Sequence, residues 1–187
     1  EIRVFWKEGL DGRNPSTWIG LKLLLVTAQR RGELANAAWE DISFEERNWH
    51  IPQLNSKNKR SHDVPLSLAA ITLLEQQKTL AKDSPFAFPS KNDPEKPMKP
   101  NSFTRALIRR NKSLGLGQFS VHDLRRTART GFAKLKVSSD IAEMIINHSR
   151  GAMVDIYDRY TYEDEKREAL EKWGSYLESL VLMNDLI

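Results

Sequence analysis

Helix-start signals recur along this chain, each at the head of a segment whose apolar residues repeat with helical spacing. The capping candidates are Ser16, Ser67, Asn101 or Ser102, Ser120 with Asp123, and Ser138 or Ser139. Side-chain oxygens at such positions accept hydrogen bonds from the free N–H groups of a first helical turn. The predicted helices cover about 16–28, 31–38, 67–80, 101–111, 120–133, 138–145 and 163–182. The chain is therefore expected to be mostly α-helical.

Three short segments after the second predicted helix have the character of β-strands. They are Asp41–Phe44, Asn48–Pro52 and His62–Leu66, separated by charged turns. Five of the eight prolines then lie between Pro85 and Pro100, which predicts an irregular loop. The predicted fold class is thus α+β and mainly α-helical, with a small three-stranded antiparallel sheet inserted early.

Length and composition narrow the class of protein. With 187 residues, 40% of them hydrophobic, we expect residues 1–187 to form one compact domain. The absence of cysteine excludes disulfides, thiolate zinc ligands and cysteine nucleophiles. Apolar runs such as Leu23–Val26 are far too short to cross a bilayer, and the charged start argues against a signal peptide. We expect a soluble domain taken from a longer protein, because no initiator methionine precedes it.

Positive charge is concentrated in one part of the chain. Residues 101–150 carry 10 basic and 3 acidic side chains, whereas residues 151–187 carry 4 and 9. A basic block in a protein of net charge +4 is typical of binding to the phosphate backbone of nucleic acids. A solvated helix face gives the same pattern, so charge alone leaves both interpretations open.

Two residue pairs have a spacing that places both side chains on one face of a helix. His122 and Arg125 stand three residues apart and can together grip one anion. Arg30 and Glu33 have the same spacing, so the carboxylate can hold the guanidinium by a charge-assisted bond. Adjacent helical residues point about 100° apart, so we expect Arg31 not to face the ligand of Arg30.

Two further segments carry reactive types of side chain. The turn before the third predicted strand contains Lys57 and Lys59, and a cationic turn can reach a ligand that the helices hold. His148, preceded by Asn147, lies nine residues before Tyr157. Taken singly, these features also have ordinary explanations, such as a solvated turn or half-buried aromatic packing.

Together, these residues resemble the motifs of the tyrosine recombinase family, the integrases and their relatives, from about residue 16 to 180. Residues 27–34, Thr-Ala-Gln-Arg-Arg-Gly-Glu-Leu, resemble its first arginine box, and residues 56–66 resemble its lysine hairpin ending in Val-Pro-Leu. Residues 122–127, His-Asp-Leu-Arg-Arg-Thr, resemble its second box, and His148 with Tyr157 resembles its Leu-Gly-His…Tyr box. Ala28 and Asn147 stand where the family has glycine. The flanks look most like those of prophage and genomic-island integrases.

The resemblance implies site-specific DNA recombination, by which a mobile element is integrated or excised through strand cleavage and rejoining. Tyr157 would attack the scissile phosphate, giving a 3′-phosphotyrosine and a free 5′-hydroxyl. Arg30 and Arg125 would hold the non-bridging oxygens with their planar forks. His122 would bond to the same phosphate and take the tyrosine proton.

Supporting roles follow from the same resemblance. Lys57, in preference to Lys59, would protonate the leaving 5′-oxygen, because it occupies the position of the family's lysine. His148 would add a hydrogen bond, and Glu33 would support Arg30. The expected DNA-binding residues are Lys59, Arg105, Arg109 and Arg126.

The implied partners are nucleic acid and further copies of the protein. They are double-stranded DNA at attachment sites, a homo-tetramer formed on DNA by a free monomer, and accessory DNA-bending proteins, with no membrane. No metal or other cofactor is implied, because the arginines supply the positive charge. The expected location is the bacterial cytoplasm, at the nucleoid. The resemblance also implies an N-terminal DNA-clamping domain, which we expect to lie outside residues 1–187. The end of the chain, Leu182–Ile187, resembles a segment that docks on a neighbouring protomer, although the last helix can equally close its own core.

Three other functions stay open on the residues alone. A topoisomerase would apply the same tyrosine chemistry to one duplex, and a metal-free ribonuclease would use histidine and lysine. A DNA-binding module would use the arginines only to hold the backbone, so that loss of Tyr157 would leave its activity intact. The prophage-like flanks favour the integrase.

Overall fold

The computed structural model of the chain describes residues 1–7, 14–148 and 161–182. Its helices are α1 (Ile2–Lys7), α2 (Pro15–Thr27), α3 (Arg31–Ala35), α4 (Leu68–Ala81), α5 (Asn101–Leu114), α6 (Val121–Lys134), α7 (Ser139–Ile145) and α8 (Glu163–Leu182). Its strands β1 (Ile42–Ser43), β2 (Asn48–Ile51) and β3 (His62–Pro65) form an antiparallel sheet in the order β1-β2-β3. The predicted fold class is confirmed.

Helix starts follow the capping signals at three places. Ser67 and Ser138 each accept a hydrogen bond from the backbone N–H three residues later. Ser120 and Asp123 form the predicted capping box at the start of α6. These caps determine where α4, α6 and α7 begin, and α6 carries two of the predicted catalytic residues, His122 and Arg125.

Three predicted helix boundaries are wrong, each for a local reason. α2 begins at Pro15 rather than Ser16, because proline has no N–H to satisfy and its fixed φ suits the first helical position. α3 ends at residue 35 rather than 38, where the side-chain amide of Asn36 donates to a carbonyl of the preceding turn at 2.8 Å. α5 continues past residue 111 to 114 and ends at Gly115, whose φ of 63° is the left-handed conformation that glycine adopts easily.

α2 runs through the centre of the molecule and is buried on nearly every side. It packs against α4, α5, α6 and α8, which together cover its apolar surface. Gly20 allows α5 to approach closely, because a Cβ at this position would lie 2.2 Å from the ring of Phe103. This enclosure holds the C-terminal end of α2 in place, three residues before Arg30.

α8 covers the core on the side of α6. Trp173 is buried, and its indole Nε1 donates to the carbonyl of Leu25 in α2 at 2.9 Å. Gly131 of α6 lies against this ring, since a Cβ at Gly131 would be 2.2 Å from it. α8 thus packs on the core of its own chain. The predicted docking segment beyond Leu182 lies outside the described residues.

The sheet carries a long loop towards the helices. Trp49 pairs with Val64 and Ile51 pairs with His62, which leaves residues 52–61 as the connection between β2 and β3. We call residues 52–61 the lysine loop, because Lys57 lies within it. The predicted proline-rich segment has no helix or strand between α4 and α5. None of the helices described has the length and apolar character that crossing a membrane requires.

Candidate active site

A cleft of about 650 Å³ lies between the lysine loop, α3 and the start of α6. Four of the predicted catalytic side chains line it, namely Arg30, Lys57, His122 and Arg125. Glu33, the predicted support of Arg30, borders the same cleft. The fold therefore brings together groups from segments that are far apart in the sequence.

Arg30 is held from several directions. It stands just before α3 with an extended backbone, and its N–H donates to Glu33 Oε2 at 2.9 Å. Its Nη1 donates to Glu33 Oε1 at 2.9 Å, and its Nη2 donates to the carbonyl of Asn147 at 3.3 Å. The Glu33 side chain is only 2% exposed, whereas that of Arg30 is 19% exposed. A buried carboxylate with both oxygens engaged thus fixes a guanidinium that still faces the cleft.

Arg31 also lines the cleft, contrary to the expectation from helix geometry. The expectation assumed that Arg30 and Arg31 are both helical, but Arg30 lies outside α3 with φ −82° and ψ 145°. The angle of about 100° between adjacent helical side chains therefore does not apply to Arg30 and Arg31. Arg31 Nη1 donates to Thr104 Oγ1 of α5. Arg31 is a candidate ligand residue that the sequence analysis missed.

Arg125 is the most buried cation of the site. It is 4% exposed, and its Nη1 donates to the carbonyl of Ala28 at 2.6 Å while its Nη2 donates to the carbonyl of Ile146. Burial, reinforced by repulsion from Arg30, lowers the pKa of Arg125 to about 10. The guanidinium is therefore still charged at neutral pH. Since each terminal nitrogen has two N–H groups, one on each is left for a ligand in the cleft.

His122 stands in the first turn of α6, one turn before Arg125. The capping box places it there, because Ser120 N–H donates to Asp123 Oδ2 at 2.9 Å and so begins the helix. Partial desolvation of the exposed imidazole, together with the positive charges of Arg126 and Arg125, lowers the pKa of His122. Its imidazole is accordingly neutral at neutral pH, the form that can accept a proton.

The lysine loop is fastened to the turn after α7. Ser56 and Asn58, the two neighbours of Lys57, both make hydrogen bonds with Asn147. Lys57 itself is exposed on the cleft side of the loop, and Lys59 is exposed with a φ of 52°.

His148 follows this turn and is held by a chain of polar groups. Its Nδ1 is 2.8 Å from Glu143 Oε2, and Glu143 Oε1 accepts a bond from Arg129 Nε at 2.8 Å. Burial opposes ionisation of Glu143, but the bonds from Arg129 and His148 outweigh it and lower the pKa of this carboxyl group. Glu143 was not predicted as a site residue, because no local sequence pattern marks it. Tyr157, the predicted nucleophile, lies in the segment 149–160, outside the described residues.

Ala28 and Asn147, which stand where the family has glycine, both adopt the left-handed backbone conformation that glycine favours. Ala28 has a φ of 58° and Asn147 a φ of 49°. The turns are therefore preserved, and the carbonyls of Ala28 and Asn147 are the ones that accept bonds from Arg125 and Arg30. Asparagine tolerates this conformation well, whereas alanine adopts it at a cost of about 1 kcal/mol.

The predicted DNA-binding residues are not gathered in the active-site cleft. Arg105 and Arg109 of α5 line a second cleft of about 400 Å³, together with Lys91 and Lys99. Arg126 is exposed, and its Nη1 donates to Asp123 Oδ1 at 3.0 Å. The four cations of the second cleft form a basic surface that the sequence analysis recognised only in part.

No group of three or more histidine, aspartate or glutamate side chains within residues 1–7, 14–148 and 161–182 is arranged to hold a metal ion.

Known proteins resemble this chain in sequence and in fold. It is 32% identical over 157 residues to prophage integrase IntA of Escherichia coli K12, covering 83% of this chain and 37% of IntA. The integrase of mycobacterium phage Brujita has a similar fold, with a TM-score of 0.68 at 17% identity over 96% of this chain and 60% of that one. A lambda integrase tetramer bound to a Holliday junction gives a TM-score of 0.61 at 20% identity, and the match covers 85% of this chain and 46% of the lambda integrase chain.

The chain spans less than half the length of IntA. The sequence model of the phage integrase family matches residues 13–164, a range that includes both arginine boxes, the lysine loop and Tyr157. On that match, together with the identity to IntA, the chain belongs to the phage integrase family.

Proposed function

We propose that this chain is the catalytic domain of a tyrosine recombinase, which cuts and rejoins DNA strands through a 3′-phosphotyrosine intermediate during integration or excision of a mobile element. The observation that carries the proposal is the shared cleft, which is lined by three guanidinium groups, an imidazole and an ammonium group. These groups suit a phosphodiester whose negative charge increases in the transition state. Family membership supplies the reaction type.

The proposed reaction is an exchange of one phosphodiester for another. The phenolic oxygen of Tyr157 forms a bond to phosphorus, and the bond from phosphorus to the 5′-oxygen breaks. Neutral His122 accepts the phenol proton, and Lys57 gives a proton to the departing oxygen. Arg30 and Arg125 hold the non-bridging oxygens throughout.

Two further groups complete the proposed site. Glu33 keeps the Arg30 fork in position through the two bonds described above. His148 adds a hydrogen bond to the phosphate through Nε2, since its Nδ1 is engaged by Glu143. No step in this scheme needs a metal ion or another cofactor, because the two guanidinium groups carry the required positive charge.

We also propose double-stranded DNA at attachment sites as the substrate and a tetramer as the active assembly, by analogy with the lambda integrase tetramer on a Holliday junction. Residues 1–187 would act as one catalytic domain, since a single apolar core extends from Phe5 to Leu177. Accessory DNA-bending proteins and a nucleoid location in the cytoplasm belong to the same proposal.

The basic cleft around Arg105 and Arg109 is proposed to hold the DNA backbone away from the scissile phosphate. Lys91 and Lys99 extend this surface. Arg109→Ala is expected to weaken binding to all sequences alike and to reduce the slope of log K against log salt by about 1, as loss of one phosphate contact does. A sequence-selective loss of binding would contradict a backbone role.

Formation of a covalent adduct on a nicked suicide duplex tests the proposed function directly. Tyr157→Phe is expected to abolish the adduct while DNA binding persists, and Tyr160→Phe is the matched control that keeps it. Mass spectrometry of the trapped peptide identifies the modified tyrosine. An adduct of normal yield from Tyr157→Phe would refute the assignment, and an intact protein that binds DNA without ever forming an adduct would favour a binding module.

A further inference from the structure

Asn147 occupies a turn that also serves as a junction between three parts of the active site. Its N–H donates to the carbonyl of Met144 at 2.9 Å, and the N–H of His148 donates to the carbonyl of Glu143 at 3.0 Å. These two bonds and the φ of 49° at Asn147 form the Schellman ending of α7. A glycine would satisfy the same turn, so helix termination alone does not account for the asparagine side chain.

That side chain and its carbonyl reach the lysine loop and Arg30. Asn147 Nδ2 donates to Ser56 Oγ at 3.2 Å. The carbonyl of Asn147 accepts bonds from Asn58 Nδ2 at 2.5 Å and from Arg30 Nη2 at 3.3 Å. Ser56 is buried, whereas Lys57 between the two contacts is exposed to the cleft. The loop is therefore attached on both sides of its lysine.

We infer that Asn147 is a positioning residue for Lys57. Asn147 holds the lysine loop in a fixed position relative to Arg30, so that the ammonium group of Lys57 meets the leaving 5′-oxygen. The inference rests on the proposed function, in which Lys57 donates that proton. An exposed loop without this attachment would sample many positions, and placing a catalytic group in one geometry accounts for much of its effect.

Only part of the attachment depends on the asparagine side chain. Asn147→Gly keeps the left-handed turn and both carbonyl contacts, but it removes the bond to Ser56 and a longer bond of 3.5 Å from Asn58 Nδ2 to Asn147 Oδ1. Ser56→Ala removes the same bond from the other side and leaves the turn unchanged. Because both substitutions delete the bond between Asn147 and Ser56, they are expected to have the same kind of phenotype, and Asn147→Gly, which also loses the bond from Asn58, the larger effect.

The leaving group provides a readout that general damage to the fold does not mimic. In a normal substrate the departing 5′-oxygen needs a proton from Lys57. In a substrate with sulfur at the 5′-bridging position, the departing group is a thiolate. Thiols are far stronger acids than alcohols (the cysteine thiol has a pKa of about 8.5), so the sulfur leaves without a proton. A defect in placing Lys57 therefore affects the oxygen substrate and spares the sulfur substrate.

The experiment measures single-turnover adduct formation by the intact protein on both substrates. Asn147→Gly and Ser56→Ala are expected to slow cleavage of the oxygen substrate by about tenfold to a hundredfold and to cleave the sulfur substrate within about twofold of wild type. Lys57→Ala gives the reference selectivity. Ser43→Ala, which removes a hydroxyl at the end of β1 that accepts a bond from the Glu46 N–H, is the matched control and should behave as wild type on both substrates.

Equal slowing on both substrates would overturn the inference, because it would place the role of Asn147 in the fold or at the arginines. Unchanged cleavage of the oxygen substrate would overturn it as well. Both results leave wild-type adduct formation intact. Failure of the proposed function is different, since wild-type protein would then form no Tyr157 adduct on either substrate.

Discussion

Replacement of Arg125 by lysine is the change whose two consequences the structure specifies most fully. The guanidinium of Arg125 donates to the carbonyls of Ala28 and Ile146, at the ends of α2 and α7. These bonds join the two left-handed turns of the site. A lysine ammonium donates from a single nitrogen and cannot span both carbonyls while it also faces the cleft.

The magnitude follows from the bonds that are lost. A hydrogen bond from a charged donor contributes about 1.5–3 kcal/mol, and a buried carbonyl left without a donor costs about 1–3 kcal/mol. With one of the two carbonyls unpaired, Arg125→Lys is expected to lower the free energy of unfolding by about 2 kcal/mol. Loss of the fork at the phosphate is expected to slow cleavage by about 10²–10³, as removal of one oxyanion donor does.

Urea unfolding measures the first effect, and single-turnover adduct formation on a nicked duplex measures the second. Arg126→Lys is the matched control for stability, because Arg126 is the next residue of α6 and its ion pair with Asp123 is exposed. Its free energy of unfolding is expected to change by less than about 0.5 kcal/mol. The reasoning about Arg125 would be refuted by an Arg125→Lys protein that matches this control in stability and cleaves DNA at a nearly normal rate.

Two further predictions concern stability. Gly131→Ala places a methyl group against the ring of Trp173 and should destabilise the protein by about 1–3 kcal/mol. The control, Gly32→Ala, places its methyl group in open space on α3 and should be neutral or stabilising by less than about 1 kcal/mol. Equal melting temperatures for the two variants would contradict the packing of α6 on Trp173. Burial lowers the pKa of His62 from 6.5 to about 4, with Nε2 held 3.0 Å from the carbonyl of Ile145. Between pH 6.5 and 4, His62 is therefore protonated in the unfolded chain but not in the folded one. The free energy of unfolding has its full value above about pH 6.5 and decreases by up to about 3 kcal/mol as the pH falls towards 4. Urea unfolding across this range should show a shallower decrease for His62→Gln, and identical slopes would disprove the effect.

Local chemistry explains which parts of the fold were predictable. Ser67, Ser138 and the Ser120–Asp123 box act within one helical turn, so their effect is visible in the sequence itself. The start of α2 was misplaced by one residue because Pro15 prevailed over Ser16. α1 was not predicted at all, since its Phe5 and Trp6 are held by packing against distant elements and no start signal precedes it.

The residues of the candidate site also divide into those that the sequence predicted and those that it did not. Residue types and spacing, read through the resemblance to the tyrosine recombinase motifs, led to Arg30, Lys57, His122 and Arg125, and all four line one cleft. The expectation for Arg31 was wrong, because a helical rule was applied across a residue with extended backbone.

What the sequence by itself determined is the set of chemical groups and the local turns that carry them. Its motifs follow from short-range order, since a cap, a box or a spacing acts between neighbours along the chain. Only the tertiary structure decided how these groups are held: the bonds from Arg125 to two helix ends, the Arg129–Glu143–His148 chain, and the junction at Asn147. Each of them, apart from the short Glu143–His148 step, joins residues more than ten positions apart, which meet because α2 is enclosed by the other helices and brings their ends together.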